Sequence, residues 1–174
     1  MGKVTDIAEW RGGELSPPSP LKSSHDLAPF SCGKPALDDW LRQRALKGEG
    51  KTSRTYVVSR GVSVIGYYAL VTGAVQRNQL PKKLTRNSPD QIPILTLARL
   101  AVDSRVGGMG VGTGMLKDAL GRVMQVSAIV GVRALLVHAK DDDAIGFYAR
   151  FGFLEFPLGT QTLFLPIETI AEAL

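Results

Sequence analysis

The stretch Gly107-Gly108-Met109-Gly110-Val111-Gly112-Thr113-Gly114 decides how the rest of the chain is interpreted. A glycine backbone can curl closely around a ligand because it lacks Cβ atoms, and the amino end of a following helix offers N–H groups to an anion. Residues 92–102 before the stretch read as a long buried strand. A helix is predicted after it, because apolar side chains recur at helical spacing in Met115, Leu116, Ala119, Leu120, Val123 and Met124. This strand, glycine loop and helix predict a phosphate-binding site, and a flexible turn is the simpler alternative.

Two familiar phosphate-binding patterns do not fit the loop. A P-loop requires a lysine directly after its last glycine, and no lysine stands there, so ATP hydrolysis is disfavoured. The dinucleotide pattern G-x-G-x-x-G fails at Thr113 when it starts at Gly108, and at Met115 when it starts at Gly110. The preceding strand also comes late in the chain rather than at the start of a repeating βαβ series. Dinucleotide binding is therefore not expected.

Strand patterns surround the glycine loop. Residues 55–59 and 62–70 are rich in β-branched and aromatic side chains and read as a hairpin. Residues 133–139 return as a strand, so the loop and its helix lie within a βαβ unit, whose crossover should be right-handed. Residues 162–165 predict a last strand.

Helix and loop patterns complete the outline. Residues 35–41 predict a first helix with proline at an early position, and residues 141–150 a short helix with acids at its amino end. Residues 76–91 read as a polar, basic loop. The Ser- and Pro-rich composition near the amino terminus predicts a flexible lead-in over residues 1–26, followed by a single domain over residues 27–174.

Composition narrows the functional classes. A single cysteine cannot form an internal disulfide, and two histidines with one cysteine, well separated, give no metal site. The sequence shows neither a membrane-length apolar run nor a secretory segment, so a cytoplasmic protein is expected. The formal net charge is +5, and it is concentrated in residues 40–60 and 76–90. Clustered positive charge predicts an anionic partner.

Two blocks carry a family resemblance. Residues 107–112 resemble the acetyl-CoA loop of the GNAT acetyltransferase superfamily, R/Q-x-x-G-x-G/A, with Gly107 in the position of the usual Arg or Gln. Residues 141–153 resemble the N-x-x-A-x-x-F-Y-x-x-x-G-F block of the same superfamily, with Asp141 in place of Asn. Shorter stretches are similar to TacT-type GNAT toxins of bacterial toxin–antitoxin systems, namely Phe30–Gly33, Leu37–Leu41, Arg54–Val58, Gly66–Leu70 and Leu97–Asp103.

The resemblance implies both a fold and a function. The implied fold is α/β (α+β), with a central mixed, mostly antiparallel twisted sheet that is splayed at its fourth and fifth strands and flanked by helices. The implied activity is acetyl-CoA-dependent acetylation of the α-amino group of an aminoacyl-tRNA, which blocks translation. The implied partners are a ribbon-helix-helix antitoxin, operator DNA through that antitoxin, and a second copy of the chain. The alternatives are an acetyltransferase for a small amine or a protein terminus, and a non-catalytic module that binds nucleic acid or another partner.

The resemblance also assigns site residues. It places acetyl-CoA on the fourth strand, the glycine loop and the second block, through Leu100, Ala101, Val102, Gly107, Gly108, Gly110, Val111, Gly112, Thr113, Gly114 and Asp141. Tyr148 matches the general acid that protonates the departing thiolate, and a core tyrosine beside Phe147 and Phe151 is the alternative. If the acceptor is tRNA, basic side chains become phosphate contacts, namely Arg42, Arg44, Lys47, Arg86 and Arg99.

Other reactive side chains receive no catalytic role. His138 is expected to be a core or rim histidine, and Cys32 a small buried thiol rather than a nucleophile. A dedicated general base is not required, because the α-amine of an aminoacyl ester is partly neutral near physiological pH.

Overall fold

The computed structural model describes residues 15–157 and 159–174 and contains one mixed β-sheet. Its strands are β1 (Ser19–Pro20), β2 (Arg54–Arg60), β3 (Ser63–Gln76), β4 (Gln91–Val102), β5 (Ala134–His138), β6 (Leu154–Glu155) and β7 (Thr162–Pro166). Their order across the sheet is β1-β2-β3-β4-β5-β7-β6. Strands β4 and β5 are parallel, as the βαβ prediction requires, and the pairs β1/β2, β2/β3, β5/β7 and β6/β7 are antiparallel. The mixed, mostly antiparallel sheet is therefore confirmed.

The helices that begin at Pro35, Val111 and Asp142 lie at the predicted places. They are α1 (Pro35–Trp40), α2 (Lys82–Thr85), α3 (Val111–Ser127), α4 (Asp142–Ala149) and α5 (Ile167–Ala173). Helix α1 continues through a π-helical segment, Leu41–Ala45, into a last α-helical turn, Leu46–Gly48. None of the helices in the described part of the chain combines the length and the apolar character that crossing a bilayer requires.

The apolar stripe of α3 explains its position after the glycine loop. Val111, Met115 and Ala119 are at most 1 % exposed and follow one another at intervals of four residues. A Cβ atom on Gly66 of β3 would lie 3.1 Å from the Met115 sulfur and 3.2 Å from Val111 Cγ1. Glycine at this position therefore lets the first turns of α3 pack close to β3.

The chain forms two compact units, each with its own core. Among the described residues, the first comprises 15–70 together with Arg99–Ala119, and the second comprises Val71–Ala98, 120–157 and 159–174. The first core gathers Leu21, Leu27, Phe30, Leu37, Leu41, Ala45, Val57, Val64, Tyr67 and Ala101. The second gathers Leu80, Leu84, Ile92, Ile94, Ala134, Leu136, Phe156 and Phe164. Strands β3 and β4 each contribute residues to both units.

The amino-terminal segment differs from the flexible lead-in that its composition predicts. Residues 1–14 of that prediction lie outside the described residues. Beyond them, the Ser16 amide donates to the Ser59 carbonyl over 2.8 Å, and β1 pairs with β2 in the register Ser19↔Val57. Leu21 is only 4 % exposed. The prolines are compatible with this pairing because β1 is an edge strand, where a missing amide donor is tolerated.

The basic connection before β4 is more ordered than the sequence predicts. Residues 77–79 form a 3₁₀ turn, and α2 follows within the expected loop. Leu80 and Leu84 are buried in the second core, whereas Arg86 is exposed. The polar composition of residues 76–91 did not indicate that Leu80 and Leu84 would be buried.

Candidate functional site

The turn from β4 into the glycine loop is held by a buried carboxylate. Asp103 is 1 % exposed, and its side chain caps the 3₁₀ turn formed by residues 104–106. The Arg105 guanidinium donates from Nε to Oδ1 over 2.9 Å and from Nη2 to Oδ2 over 2.8 Å, and the Ser31 amide donates to Oδ2 over 3.1 Å. The side-chain hydrogen bonds from Arg105 are the largest cause lowering the pKa of Asp103 to about 2. Asp103 is therefore ionised at neutral pH and fixes the start of the loop.

The glycine loop itself is open to solvent. Gly107, Gly108, Met109 and Gly110 are all exposed. Gly108 and Gly110 have φ angles of +76° and +80°, a region that favours residues without a Cβ atom. Positive φ thus accounts for glycine at positions 108 and 110, and the exposure of the loop leaves its backbone accessible.

Helix α3 begins directly after these glycines. The Gly114 amide donates to the Gly110 carbonyl over 3.0 Å, which makes Gly110 the first residue bonded into the helix. The N–H groups of Val111, Gly112 and Thr113 therefore precede the first intrahelical donor. Amides at such a position can bind the oxygens of a phosphate group.

Strand β4 extends past its pairing with β5. The parallel pairs run from Leu95↔Leu135 to Leu97↔Val137, whereas β4 continues to Val102. This extension contains Leu100, Ala101 and Val102, the predicted acetyl-CoA-binding residues of the strand. Its backbone groups are therefore not used in the β4–β5 ladder, because β5 ends at His138.

Tyr148 lies on α4 in the second unit. Its side chain is 7 % exposed and its ring packs edge to face on Phe147 at 5.1 Å and on Phe153 at 5.4 Å. Burial raises the pKa of the phenol above its ordinary value, so Tyr148 is protonated at neutral pH. No hydrogen-bond partner of the hydroxyl occurs among the residues the structure describes, and its oxygen is not completely enclosed. The ring is thus a packed residue, as the alternative interpretation requires, while its hydroxyl can donate to an added group.

Asp141 directly precedes the same helix. Its Oδ1 atom accepts a hydrogen bond from the Ala144 amide over 2.8 Å, so the carboxylate is the N-cap of α4. The family usually has asparagine here, which can make the same cap. The cap positions the helix that carries Tyr148.

Arg99 and Trp40 form a stacked group in the first unit. The guanidinium carbon of Arg99 lies 4.2 Å from the centroid of the Trp40 ring, and this ring also stacks on Tyr67 at 5.8 Å. The Tyr67 hydroxyl donates to the Leu37 carbonyl over 2.7 Å. Burial lowers the pKa of Arg99, but a guanidinium stays charged at neutral pH. This cation–π contact explains the one charge that interrupts the apolar pattern of β4.

A basic cleft adjoins Trp40. Its volume is about 450 Å³, and its lining residues are Trp40, Arg44, Lys47, Gly48, Thr52 and Ser53. The structure therefore brings the predicted tRNA residues Arg44 and Lys47 together, and Trp40 links their cleft to Arg99. The two hydroxyl side chains were missed in the sequence, because nothing in Thr52-Ser53 distinguishes them from an ordinary turn.

Of the five predicted tRNA residues, Arg42, Arg86 and Arg99 do not line this cleft. Arg42 donates from Nη1 to the Phe30 carbonyl over 2.7 Å and pairs with Asp39 at 3.3 Å, so much of its hydrogen-bonding capacity is used within the protein. Arg86 is an exposed residue of the second unit. Arg42 therefore has a structural role that the sequence did not predict.

The remaining candidates have ordinary surroundings. His138 Nδ1 lies 2.9 Å from the Thr162 hydroxyl, next to a cavity of about 310 Å³ in the second unit. Cys32 is partly buried and burial raises the pKa of its thiol, which disfavours the thiolate. No cluster of three or more potential metal ligands among His, Cys, Asp and Glu occurs within residues 15–157 and 159–174.

The chain is similar in sequence to a known protein family and to a characterised toxin. The profile of the Acetyltransferase (GNAT) family matches residues 21–153. The tRNA-acetylating toxin of Mycobacterium tuberculosis (strain ATCC 25618 / H37Rv) is 43% identical over 139 residues, which are 79% of this chain and 84% of that protein.

Two solved structures show similar folds. AtaT complexed with acetyl-methionyl-tRNAfMet has a TM-score of 0.85 at 30% identity, over 92% of this chain and 99% of that chain. A tyrosine-to-phenylalanine mutant of the toxin AtaT, bound to the C-terminus of the antitoxin AtaR and to acetyl-CoA, has a TM-score of 0.78 at 29% identity, over 92% and 97% of the two chains.

Proposed function

The chain belongs to the acetyltransferase (GNAT) family, and we propose that it is a toxin that acetylates the α-amino group of an aminoacyl-tRNA. The donor is acetyl-CoA, the co-substrate of this family. The observation that carries the choice of acceptor is the 43% identity to a tRNA-acetylating toxin over most of both chains. We also take residues 27–174 as one acetyltransferase domain.

The residues present fit the phosphate groups of acetyl-CoA. The glycine loop is exposed, two of its glycines adopt positive φ, and the amino end of α3 follows it directly. In this proposal the loop and helix end hold the pyrophosphate, and the end of β4 beyond its pairing with β5 holds the pantetheine. The whole set is Leu100, Ala101, Val102, Gly107, Gly108, Gly110, Val111, Gly112, Thr113, Gly114 and Asp141.

Tyr148 acts as the general acid of the reaction. Acetyl-CoA supplies the acetyl group as a thioester. The amine nitrogen forms the new N–C bond as the C–S bond breaks, the amine loses a proton to water, and the leaving thiolate gains one from the Tyr148 hydroxyl. The buried phenol suits this role because its raised pKa keeps it protonated. Asp141 is a positioning residue as well, since it caps the helix that carries Tyr148.

The acceptor tRNA binds through basic side chains. The cleft beside Trp40 offers two cations and two hydroxyls, which match the charge and hydrogen-bonding needs of phosphodiesters. The proposed contacts remain Arg42, Arg44, Lys47, Arg86 and Arg99. Arg44 and Lys47 are the best supported of these contacts, because both line the cleft. Arg42, in contrast, also donates to the Phe30 carbonyl.

The biological consequence follows from the acceptor. An acetylated α-amine cannot attack a peptidyl ester, so the modified aminoacyl-tRNA cannot take part in elongation and translation is blocked. A ribbon-helix-helix antitoxin neutralises the toxin and joins it to operator DNA, and the toxin acts as a homodimer in the cytoplasm. The proposal of an antitoxin partner rests on the similar toxin AtaT, whose mutant structure contains the C-terminus of the antitoxin AtaR.

The test is acetyl transfer from labelled acetyl-CoA to total charged tRNA. We expect label on aminoacyl-tRNA that is released by mild alkali as an N-acetyl amino acid. Deacylated tRNA is the control and should take up no label. If the purified protein binds acetyl-CoA but labels no aminoacyl-tRNA, the proposed acceptor is wrong. Label on a polyamine or a peptide amino terminus instead would establish the small-amine or protein-terminus alternative.

A further inference from the structure

Arg105 is the cation that most closely precedes the glycine loop in the sequence. It is the only Lys or Arg between Arg99 and Lys117, and it precedes Gly107 by two residues. Gly107 itself has no side chain, at the loop position where the family resemblance places Arg or Gln. Any charged side chain that this stretch offers to a phosphate must therefore come from Arg105.

Asp103 fixes the conformation of Arg105. Its carboxylate accepts from the Arg105 backbone amide over 2.9 Å, from Nε over 2.9 Å and from Nη2 over 2.8 Å. The carboxylate is buried, and its fourth donor, the Ser31 amide, belongs to a distant part of the chain. The long side chain is thus ordered before any ligand binds, which lowers the entropy cost of a new contact.

The outer side of the guanidinium is still available. Arginine has five N–H donors, and Asp103 uses one on Nε and one on Nη2. The Arg105 side chain is 57% exposed. An ordered guanidinium with remaining donors is suited to bind a phosphate, since its planar fork matches two phosphate oxygens.

We propose that Arg105, held in place by Asp103, binds a phosphate group of acetyl-CoA and replaces the side chain that is missing at Gly107. The inference rests on the acetyl-CoA-dependent function but not on the identity of the acceptor. Two groups share the required chemistry, the pyrophosphate and the 3′-phosphate of the ribose. Arg105 is a binding residue in this proposal and Asp103 is a positioning residue.

Isothermal titration calorimetry tests the contact without any turnover. Wild-type protein and Arg105→Gln are titrated with acetyl-CoA and with 3′-dephospho-acetyl-CoA. We expect Arg105→Gln to raise the Kd for acetyl-CoA by about tenfold or more, the usual scale for loss of a charged hydrogen bond. An equal effect on both ligands assigns the pyrophosphate, and an effect that disappears with the dephospho ligand assigns the 3′-phosphate.

Two further variants complete the design. Lys22→Gln removes the same charge from an exposed residue outside the loop and should leave the Kd within about twofold of wild type, because Lys22 is not a proposed phosphate contact and solvent screens its charge. If Arg105→Gln does not fold, Arg105→Lys replaces it and should bind acetyl-CoA at least about threefold more weakly, since a lysine lacks the planar fork.

The contrary outcomes are distinct. An unchanged Kd for both ligands in a folded Arg105 variant overturns this inference and leaves the proposed function intact. A wild-type protein that binds neither ligand overturns both.

Discussion

Replacement of Asp103 by asparagine should destabilise the protein in a pH-dependent manner. The folded-state pKa of about 2 lies below the ordinary value of 3.8. At about 1.4 kcal/mol for each tenfold change in proton affinity, the difference corresponds to about 2 kcal/mol of stability at neutral pH. Because the pKa is depressed on folding, this contribution is complete above about pH 5 and is lost as the pH falls toward 2.

Urea unfolding followed by circular dichroism at pH 7, 5, 4 and 3 measures this effect. Asp103→Asn should lower the free energy of unfolding by about 2 kcal/mol at pH 7, and its difference from wild type should fall to about half at pH 3. Asp143→Asn, which changes an exposed acid in the first turn of α4, should lose less than about 1 kcal/mol. A difference between wild type and Asp103→Asn that stays constant from pH 7 to pH 3 would refute the ionic role of the carboxylate.

Four further substitutions test the proposed site. Tyr148→Phe should leave the Kd for acetyl-CoA near wild type and lower single-turnover acetyl transfer by about a hundredfold or more, because general acids contribute on that scale. Arg44→Glu and Arg86→Glu should each lower aminoacyl-tRNA acetylation by about tenfold at low salt without changing the Kd for acetyl-CoA, since each removes a phosphate contact. Gly108→Ala should lower the free energy of unfolding by about 1 kcal/mol and weaken acetyl-CoA binding, because alanine is strained at a φ of +76°.

Each of these has its own control and contrary result. Transfer by Tyr148→Phe at the wild-type rate would exclude the acid role. Lys22→Glu reverses an exposed charge outside the proposed tRNA set, and this variant should acetylate aminoacyl-tRNA normally. If Arg44→Glu or Arg86→Glu lost tRNA binding and acetyl-CoA binding equally, the result would indicate misfolding instead. Gly121→Ala lies in α3, where an added Cβ would meet no atom within 4 Å, and should stabilise the helix. Equal behaviour of the two glycine variants would contradict the strain argument.

Local pattern was sufficient for most elements of the fold. The hairpin, β4, α3 and β5 follow from strand composition and helical spacing, which act over a few neighbouring residues. The glycine loop and the block that begins at Asp141 lie in order along the chain, so the family was recognisable without coordinates. The short strands β1 and β6 and the helix α2 were missed. Two of the three contain only two residues, and all depend on partners elsewhere for stability.

The functional assignment of individual charges depended on distant contacts. The sequence predicted Arg42 and Arg99 as tRNA contacts of the same kind, but Arg42 binds the Phe30 carbonyl and Arg99 lies over Trp40. Such partners are chosen by packing, not by spacing along the chain.

At the glycine loop, some features follow from the sequence and others only from the tertiary structure. The sequence by itself determined the family, the βαβ unit around the loop and the need for glycine, because these depend on local backbone geometry and residue order. Only the tertiary structure showed that Asp103 is buried and binds Arg105 as well as the Ser31 amide, 72 residues away. A buried carboxylate must find donors wherever the folded chain supplies them, and here that requirement fixes Arg105, the only Lys or Arg between Arg99 and Lys117.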